Sequence, residues 1–262
     1  ADRFTEKDGK SRWVLGSMGP GTKLPTLGHT TYDNLKQTFA LQAKGLIAGG
    51  ADAFMVETSQ DLLQTKAAIN ACRLAIVESG IRLPIFVEVT VETTGTMLLG
   101  SEIGAALTAL SALGIDSIGL NCATGPTEMS EHLRYLSKYS NLPVTVMPNA
   151  GLPILGPHGA HYPLTPVELA TAQLQFVNDY GAGLVGGCCG TTPAHIQAVA
   201  EAVAGKKPAR PTLIVEPGLA SLYQHQPFDQ TMTYLSIGER TNANGSKAFR
   251  EAMLEENWEE CL

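Results

Sequence analysis

Apolar runs of strand length alternate with amphipathic helical segments along the first 205 residues. The alternating pattern predicts a strand wherever a short apolar run ends at Gly, Pro or a polar residue, and a helix wherever apolar residues recur at helical spacing. The predicted strands are residues 13–20, 53–58, 84–90, 116–122, 143–149 and 183–188. The predicted helices are residues 32–48, 61–79, 101–113, 127–139, 165–180 and 193–204.

Strict alternation of apolar strands and helices is typical of a parallel α/β sheet. The pattern contains about six strand–helix units, whereas a closed (β/α)₈ barrel of the TIM type needs eight. Residues 206–232 are rich in Pro and Lys and are predicted to be a linker. Residues 233–262 then begin a new strand–helix pattern.

Composition narrows the functional classes. Of the 262 residues 44% are hydrophobic and 16% are charged, and the net charge of −7 provides no basic surface for nucleic acid. No apolar run is long enough to span a membrane, and the polar N-terminus lacks a signal-peptide pattern. The five cysteines lack the spacing of a disulfide framework, which favours a reducing, cytoplasmic location.

Two adjacent thiols, Cys188 and Cys189, occur where a predicted strand meets a helix, in the stretch LVGGCCGTTP at residues 184–193. The glycines allow a tight turn, Pro193 suits the first turn of a helix, and Thr191 or Thr192 can cap it. Taken alone, such a pair is compatible with inert buried thiols or with a strained vicinal disulfide.

A third thiol, Cys122, follows the apolar strand at residues 118–120 in the same kind of context. Because parallel strands end at one edge of a sheet, the three thiols are expected to converge there. Zinc favours sulfur ligands in tetrahedral geometry, and catalytic zinc sites keep one position open. The pattern therefore predicts a Cys₃ metal site with an unfilled fourth position.

The motifs GGCCGTTPAHI and GLNCATGP resemble the paired zinc motifs of the homocysteine S-methyltransferase family. The resemblance extends over about residues 13–204 and implies a (β/α)₈ barrel whose first two units would lie upstream of Ala1, as in a piece of a longer protein. It also implies L-homocysteine as substrate, with Cys122, Cys188 and Cys189 binding Zn²⁺ that activates the homocysteine thiol.

A second stretch, IGERTN at residues 237–242, resembles the start of the pterin-binding domain of the cobalamin-dependent methionine synthase family. This resemblance implies a methyl group taken from methylcobalamin, which 5-methyltetrahydrofolate regenerates, and cobalamin- and folate-binding domains in the same longer chain. The domains are then 1–205, the linker 206–232, and 233–262 as the start of a second barrel. Two alternatives remain: a betaine- or S-methylmethionine-dependent methyltransferase, and an inactive piece with a structural zinc.

Four further polar residues are predicted to lie at the same edge of the sheet. Glu57 is a candidate for binding the substrate ammonium group, and helix capping is the alternative. Asn149 is a candidate for the open position of the metal, or else a turn residue. Asn121 is expected to support the loop beside Cys122, and Ser17 to contact substrate.

The remaining candidates have simpler interpretations. Glu88 is expected only to hydrogen-bond across the barrel mouth. His195 lies one turn into the last helix of the first domain and is expected to cap or pack, while His158 and His161 fall in a Gly- and Pro-rich loop. Cys72 falls in a helical apolar pattern and is expected to be in the core.

Overall fold

We describe residues 1–157, 159–231, 234 and 242–261 of a computed structural model of the chain. The chain forms two compact units, Ala1–Gln226 and Pro227–Leu262. In the described residues, no helix is both long and apolar enough to cross a lipid bilayer.

The first unit alternates strands with helices as the hydrophobic pattern predicts. The strands of its main sheet are β1 Leu15–Met18, β2 Ala53–Ser59, β3 Ile85–Val89, β4 Ser117–Asn121, β5 Val144–Met147 and β8 Ala182–Val185. Its helices are α1 Asp2–Asp8, α2 Tyr32–Ala48, α3 Leu62–Ser79, α4 Ile103–Ser111, α5 Pro126–Tyr139, α6 Pro166–Tyr180 and α7 Pro193–Val203. The predicted α/β alternation is confirmed.

Six strands form one parallel sheet in the order β1-β2-β3-β4-β5-β8. Within the part of the chain that the structure describes, β1 and β8 each pair with a single neighbour, so the sheet is open rather than closed into a barrel. The sequence-based expectation of a parallel sheet is therefore confirmed, and closure with two further units stays a prediction.

The helix ends follow the capping signals of the sequence. The Thr165 hydroxyl accepts a hydrogen bond from Glu168 N at the start of α6, and the Glu168 carboxylate accepts one from Thr165 N. Thr192 precedes Pro193 at the start of α7, as predicted. Such reciprocal caps satisfy backbone donors that have no partner within the helix.

The sheet has one face toward the helices and one face away from them. Val87, Val89, Ile118 and Leu120 belong to the main hydrophobic core together with residues of α3, α4 and α5. Since successive side chains of a strand point to opposite faces, Glu88, Gly119 and Asn121 belong to the other, inner face. The polar residues of these two strands, Glu88 and Asn121, therefore lie on the inner face.

The loop between β5 and α6 contains an antiparallel hairpin that the sequence pattern did not predict. It consists of β6 Ile154–Gly156 and β7 Gly159–His161, and both strands are exposed. His161 lies on β7, and His158 falls outside the described residues.

The segment after α7 packs on the first unit up to Gln226. The backbone of this segment forms hydrogen bonds with Val177 of α6, with Lys138 of α5 and with Glu102 at the start of α4. It contains the short antiparallel strands β9 Gly218–Ala220 and β10 His225–Pro227. The structure thus divides the chain after Gln226, within the range predicted as a linker.

The second unit contains one described helix, α8 Lys247–Leu254, whose first turn Ser246 caps by accepting a hydrogen bond from Phe249 N. Most of the stretch that resembles a pterin-binding domain, residues 237–241, lies outside the described residues. The predicted second barrel has no structural support here.

Candidate metal centre

Three thiols meet at the carboxyl edge of the sheet. Cys122 directly follows β4, and Cys188 and Cys189 lie in the loop between β8 and α7. Their sulfur atoms all lie within 4.8 Å of one another, with Cys189 Sγ 3.7 Å from Cys122 Sγ and 3.9 Å from Cys188 Sγ. Zinc–sulfur bonds of 2.3 Å in tetrahedral geometry would separate the sulfurs by about 3.8 Å. The three thiols therefore fit a zinc-sized ion.

The backbone that presents Cys122 is strained. Cys122 and Ala123 both have a φ of 59°, in the left-handed region that residues with side chains rarely adopt. Cys122 N donates to Met147 O at 3.1 Å, and Thr124 O accepts from Asn149 N at 3.1 Å, so β5 fixes the turn from both sides. Strain of this kind persists where the surroundings over-determine it, and it clusters at functional sites.

The loop that carries Cys188 and Cys189 depends on two glycines. A side chain at Gly187 would lie 2.3 Å from Thr191, whose hydroxyl donates to Cys188 O at 2.7 Å. Gly190 has a φ of 79° and lies against the ring of Tyr162, which a Cβ would meet at 2.3 Å. No residue pattern marks Tyr162 as part of the site, because its packing against Gly190 depends on the path of the hairpin loop.

The thiols perturb one another. Hydrogen bonding from Cys188, with smaller contributions from Cys189 and Asn149, lowers the pKa of Cys122 to about 5 against the opposing effect of burial. The same interaction, together with burial, raises the pKa of Cys188 well above its ordinary value. The Cys122 thiolate thus forms readily, while Cys188 holds its proton. A divalent cation would stabilise all three as thiolates.

Asn121 connects the thiols to Glu57. Its Nδ2 lies 4.0 Å from Cys188 Sγ and donates to Glu57 Oε2 at 3.4 Å. Its Oδ1 accepts from Thr58 N at 2.7 Å and its Nδ2 donates to Thr58 Oγ1 at 2.8 Å. Thr58 has a φ of 57° at an irregularity in β2, so Asn121 stabilises a second strained turn.

Asn149 and Ser17 lie at the same edge of the sheet, but of the two only Asn149 is hydrogen-bonded to a cysteine of the cluster. Asn149 Oδ1 accepts from Cys189 N at 3.0 Å, which positions the Cys189 loop. Ser17 is exposed on β1, and its backbone oxygen accepts from Gln42 Nε2 at 3.1 Å. The predictions that Asn149 fills an open metal position and that Ser17 binds substrate stay predictions.

Two other predictions are confirmed. His195 is buried, bonds Thr192 Oγ1 at 2.8 Å and Leu164 O at 2.9 Å, and so caps α7 rather than joining the thiols. Cys72 is fully buried in α3, where burial raises the pKa of its thiol to about 12.

Comparison with known proteins agrees with this arrangement. The family model described as "Homocysteine S-methyltransferase" matches residues 1–203. The chain is 61% identical over 262 residues to "Methionine synthase" of Mycobacterium tuberculosis (strain ATCC 25618 / H37Rv) and 60% identical over 267 residues to that of Mycobacterium leprae (strain TN). All of this chain is aligned in both cases, but it spans only 22% of the length of these relatives. The predicted relation to methionine synthases is confirmed.

The fold is similar to that of the homocysteine methyltransferase MmuM from Escherichia coli. The apo form aligns with a TM-score of 0.60 at 21% identity, covering 77% of this chain and 67% of that one. The metallated form aligns with the same TM-score and identity, covering 76% and 65%. At this identity the likeness concerns the fold. Together, the matched residues and the three converging cysteines lead to one conclusion: the chain belongs to the homocysteine S-methyltransferase family.

Proposed function

We propose that the first unit binds Zn²⁺ and L-homocysteine and activates the homocysteine thiol for methyl transfer, as part of a cobalamin-dependent methionine synthase. The observation that carries the proposal is the convergence of Cys122, Cys188 and Cys189 at the carboxyl edge of the sheet, with sulfurs at zinc-compatible spacing. The names of the two mycobacterial relatives support the reaction.

The three cysteine thiolates would hold the ion. Zn²⁺ bound there supplies a Lewis acid that deprotonates a thiol ligand at neutral pH. Three thiolates donate more charge than three imidazoles, which keeps an added sulfur electron-rich and nucleophilic. Cys189 is exposed, so a thiol from solvent has access to the cluster.

The neighbouring polar residues would orient the amino acid. Glu57 pairs with the α-ammonium group, and Asn121 holds Glu57 and the turn at Thr58 in place. Asn149 would hold the fourth metal position in the absence of the thiol, and Ser17, near the end of β1, would contact the substrate. A thiol held between the metal and Glu57 would be oriented for transfer of the methyl group to its sulfur.

The methyl donor would be methylcobalamin, carried by another domain of the longer protein and regenerated from 5-methyltetrahydrofolate. In that protein two further strand–helix units would close the six-stranded sheet into a (β/α)₈ barrel over residues 1–205. Residues 206–232 would link it to a folate-binding barrel that begins at 233–262. Free cysteines such as Cys122 and Cys189 favour a reducing, cytoplasmic location.

The test is zinc content by elemental analysis of anaerobically purified protein, combined with zinc-edge X-ray absorption. We expect one zinc per chain and a sulfur shell that grows from three to four when homocysteine is added. Absence of zinc in folded, reduced protein, or four sulfurs before homocysteine is added, would refute the open site.

Removal of a single ligand sharpens the test. Cys188→Ala is expected to abolish tight zinc binding, because two thiolates remain. Cys261→Ala, in the second unit, is the matched control and is expected to retain one zinc. Retention of zinc by Cys188→Ala would contradict the proposed ligand set.

A further inference from the structure

A second carboxyl lies beside Glu57 on the inner face of the sheet. Strands β2 and β3 are parallel neighbours, and Val56 pairs with Val87 in their register. Glu57 and Glu88 each follow this pair, where the register of β2 becomes irregular, and Glu57 is close enough for its charge to act on Glu88. Glu88 therefore lies on the strand between those that carry Glu57 and Asn121.

Glu88 is fully buried without a partner. Its exposed fraction is 0%, and neither carboxyl oxygen has a hydrogen-bond partner among the described residues. The Thr145 hydroxyl is close enough to lower the pKa of Glu88, although it forms no well-aligned hydrogen bond with the carboxyl and itself lacks a partner. No ion pair involving Glu88 occurs within the described part of the chain. Buried polar groups are almost always paired, so this carboxyl requires an explanation.

Gly119 makes room for Thr145 beside Glu88. Gly119 pairs with Glu88 across β3 and β4 and with Thr145 across β4 and β5. A Cβ at Gly119 would lie 2.1 Å from Thr145 Oγ1 and 2.0 Å from Thr145 O. Because Gly119 has no side chain, only its backbone lies between Glu88 on β3 and Thr145 on β5.

Two adjacent carboxyls without a cation repel each other. Burial raises the pKa of Glu88 to about 8, and the neighbouring charge of Glu57 adds to the increase. The carboxyl is thus neutral in the empty site at pH 7, and a bound cation would favour its ionised form. An arrangement of this kind is suited to a ligand that brings a positive charge.

We propose that Glu88 acts with Glu57 as a second specificity-determining carboxyl, which binds the α-ammonium group of the amino-acid thiol. The inference rests on the proposed function, because Asn121 places Glu57 one side chain away from Cys188. A thiol on the metal would direct its amino group toward the two carboxyls. Glu57 contacts the ammonium group from the rim, and Glu88 contacts it from the buried side.

The test compares two thiols that differ only in the ammonium group. Calorimetric titration of the full zinc-loaded chain gives the dissociation constants of L-homocysteine and of 4-mercaptobutyrate. Wild-type protein is expected to prefer homocysteine, and Glu88→Gln is expected to reduce the preference about 10- to 100-fold, the range of a charged hydrogen bond. Affinity for 4-mercaptobutyrate is expected to stay within about twofold, which reports an intact fold and thiol site.

The matched control is Glu92→Gln, on the loop after β3, which is expected to leave both affinities unchanged. Glu88→Asp retains the charge and is expected to recover part of the preference for homocysteine. If Glu88→Gln keeps the wild-type preference for homocysteine, the proposed role of Glu88 is rejected, while the proposed function of the site is not. Equal wild-type affinity for both thiols would reject an ammonium site but not thiol binding, and binding of neither thiol would reject both proposals.

Discussion

Replacing Glu88 with Gln is expected to stabilise the folded protein by an amount that grows with pH. The carboxyl is fully buried and unpartnered among the described residues, and burial raises its pKa from the ordinary value of 4.5 to about 8. Because its pKa is higher in the folded than in the unfolded chain, the folded chain retains the proton over a range in which the unfolded chain has lost it. The residue therefore costs stability as the pH rises above 4.5, and the cost levels off above pH 8.

The magnitude follows from the two pKa values. The cost is about 1 kcal/mol at pH 5, about 3 kcal/mol at pH 7 and about 5 kcal/mol at pH 9. Gln has a similar shape and no charge. Glu88→Gln therefore removes the pH-dependent contribution of residue 88 to the free energy of unfolding, and the effect of the amide itself is the same at every pH. The diagnostic is thus the change in the stability difference between pH 5 and pH 9, not its absolute value.

Urea unfolding of wild type and Glu88→Gln under identical conditions at several pH values measures this change. The thiols also titrate in this range, but they are common to both proteins and their contribution cancels in the difference. Glu6→Gln, which removes an exposed carboxyl of α1, is the control and is expected to give the same small difference at every pH. A stability difference between wild type and Glu88→Gln that does not change with pH would show that the pKa of Glu88 is not raised in the folded protein.

Three other substitutions test the fold around the site by urea unfolding at pH 7. Gly119→Ala is expected to destabilise by about 1–3 kcal/mol or more, because the new Cβ would overlap Thr145 backbone and side chain; neutrality would mean that β4 and β5 have a different register. Asn121→Ala is expected to cost about 1–3 kcal/mol, because Thr58 N loses its partner at a strained turn; a smaller effect would show that water replaces the amide. Thr165→Ala is expected to cost about 1 kcal/mol through loss of the α6 cap, and no change would exclude the capping role.

The order of elements and the cysteine cluster were predictable because both follow from local pattern. Each strand is a short apolar run, and residues directly after parallel strands meet at one edge whatever the details of packing. Cys122 and Cys188 lie far apart in sequence, yet both follow strands of one parallel sheet. That arrangement alone predicts that they lie close together.

Contacts that depend on register and backbone irregularity were not predictable. Asn121 was expected to support its own loop, whereas it bonds the backbone of Thr58, a residue 63 positions away, at an irregularity of β2 that no residue pattern marks. The hairpin of β6 and β7 was missed because strands of three residues are too short to show an alternating pattern. The partnerless state of Glu88 likewise depends on which side chains flank it across the sheet.

The division of the sheet into two faces explains how the site tolerates its strain. The helix-facing side of β3 and β4 is continuous apolar core, and burial of a Val or Leu side chain contributes about 1.5–3 kcal/mol. Left-handed backbone at Thr58 and Cys122 costs about 1–3 kcal/mol each, and these costs arise at the carboxyl ends of strands whose apolar faces are fully packed. The strained backbone and the unpartnered Glu88 are therefore held in place by the same sheet that positions the thiols. Substitutions on the core face should reduce stability without changing thiol preference, whereas Glu88→Gln on the inner face should change the preference and raise stability.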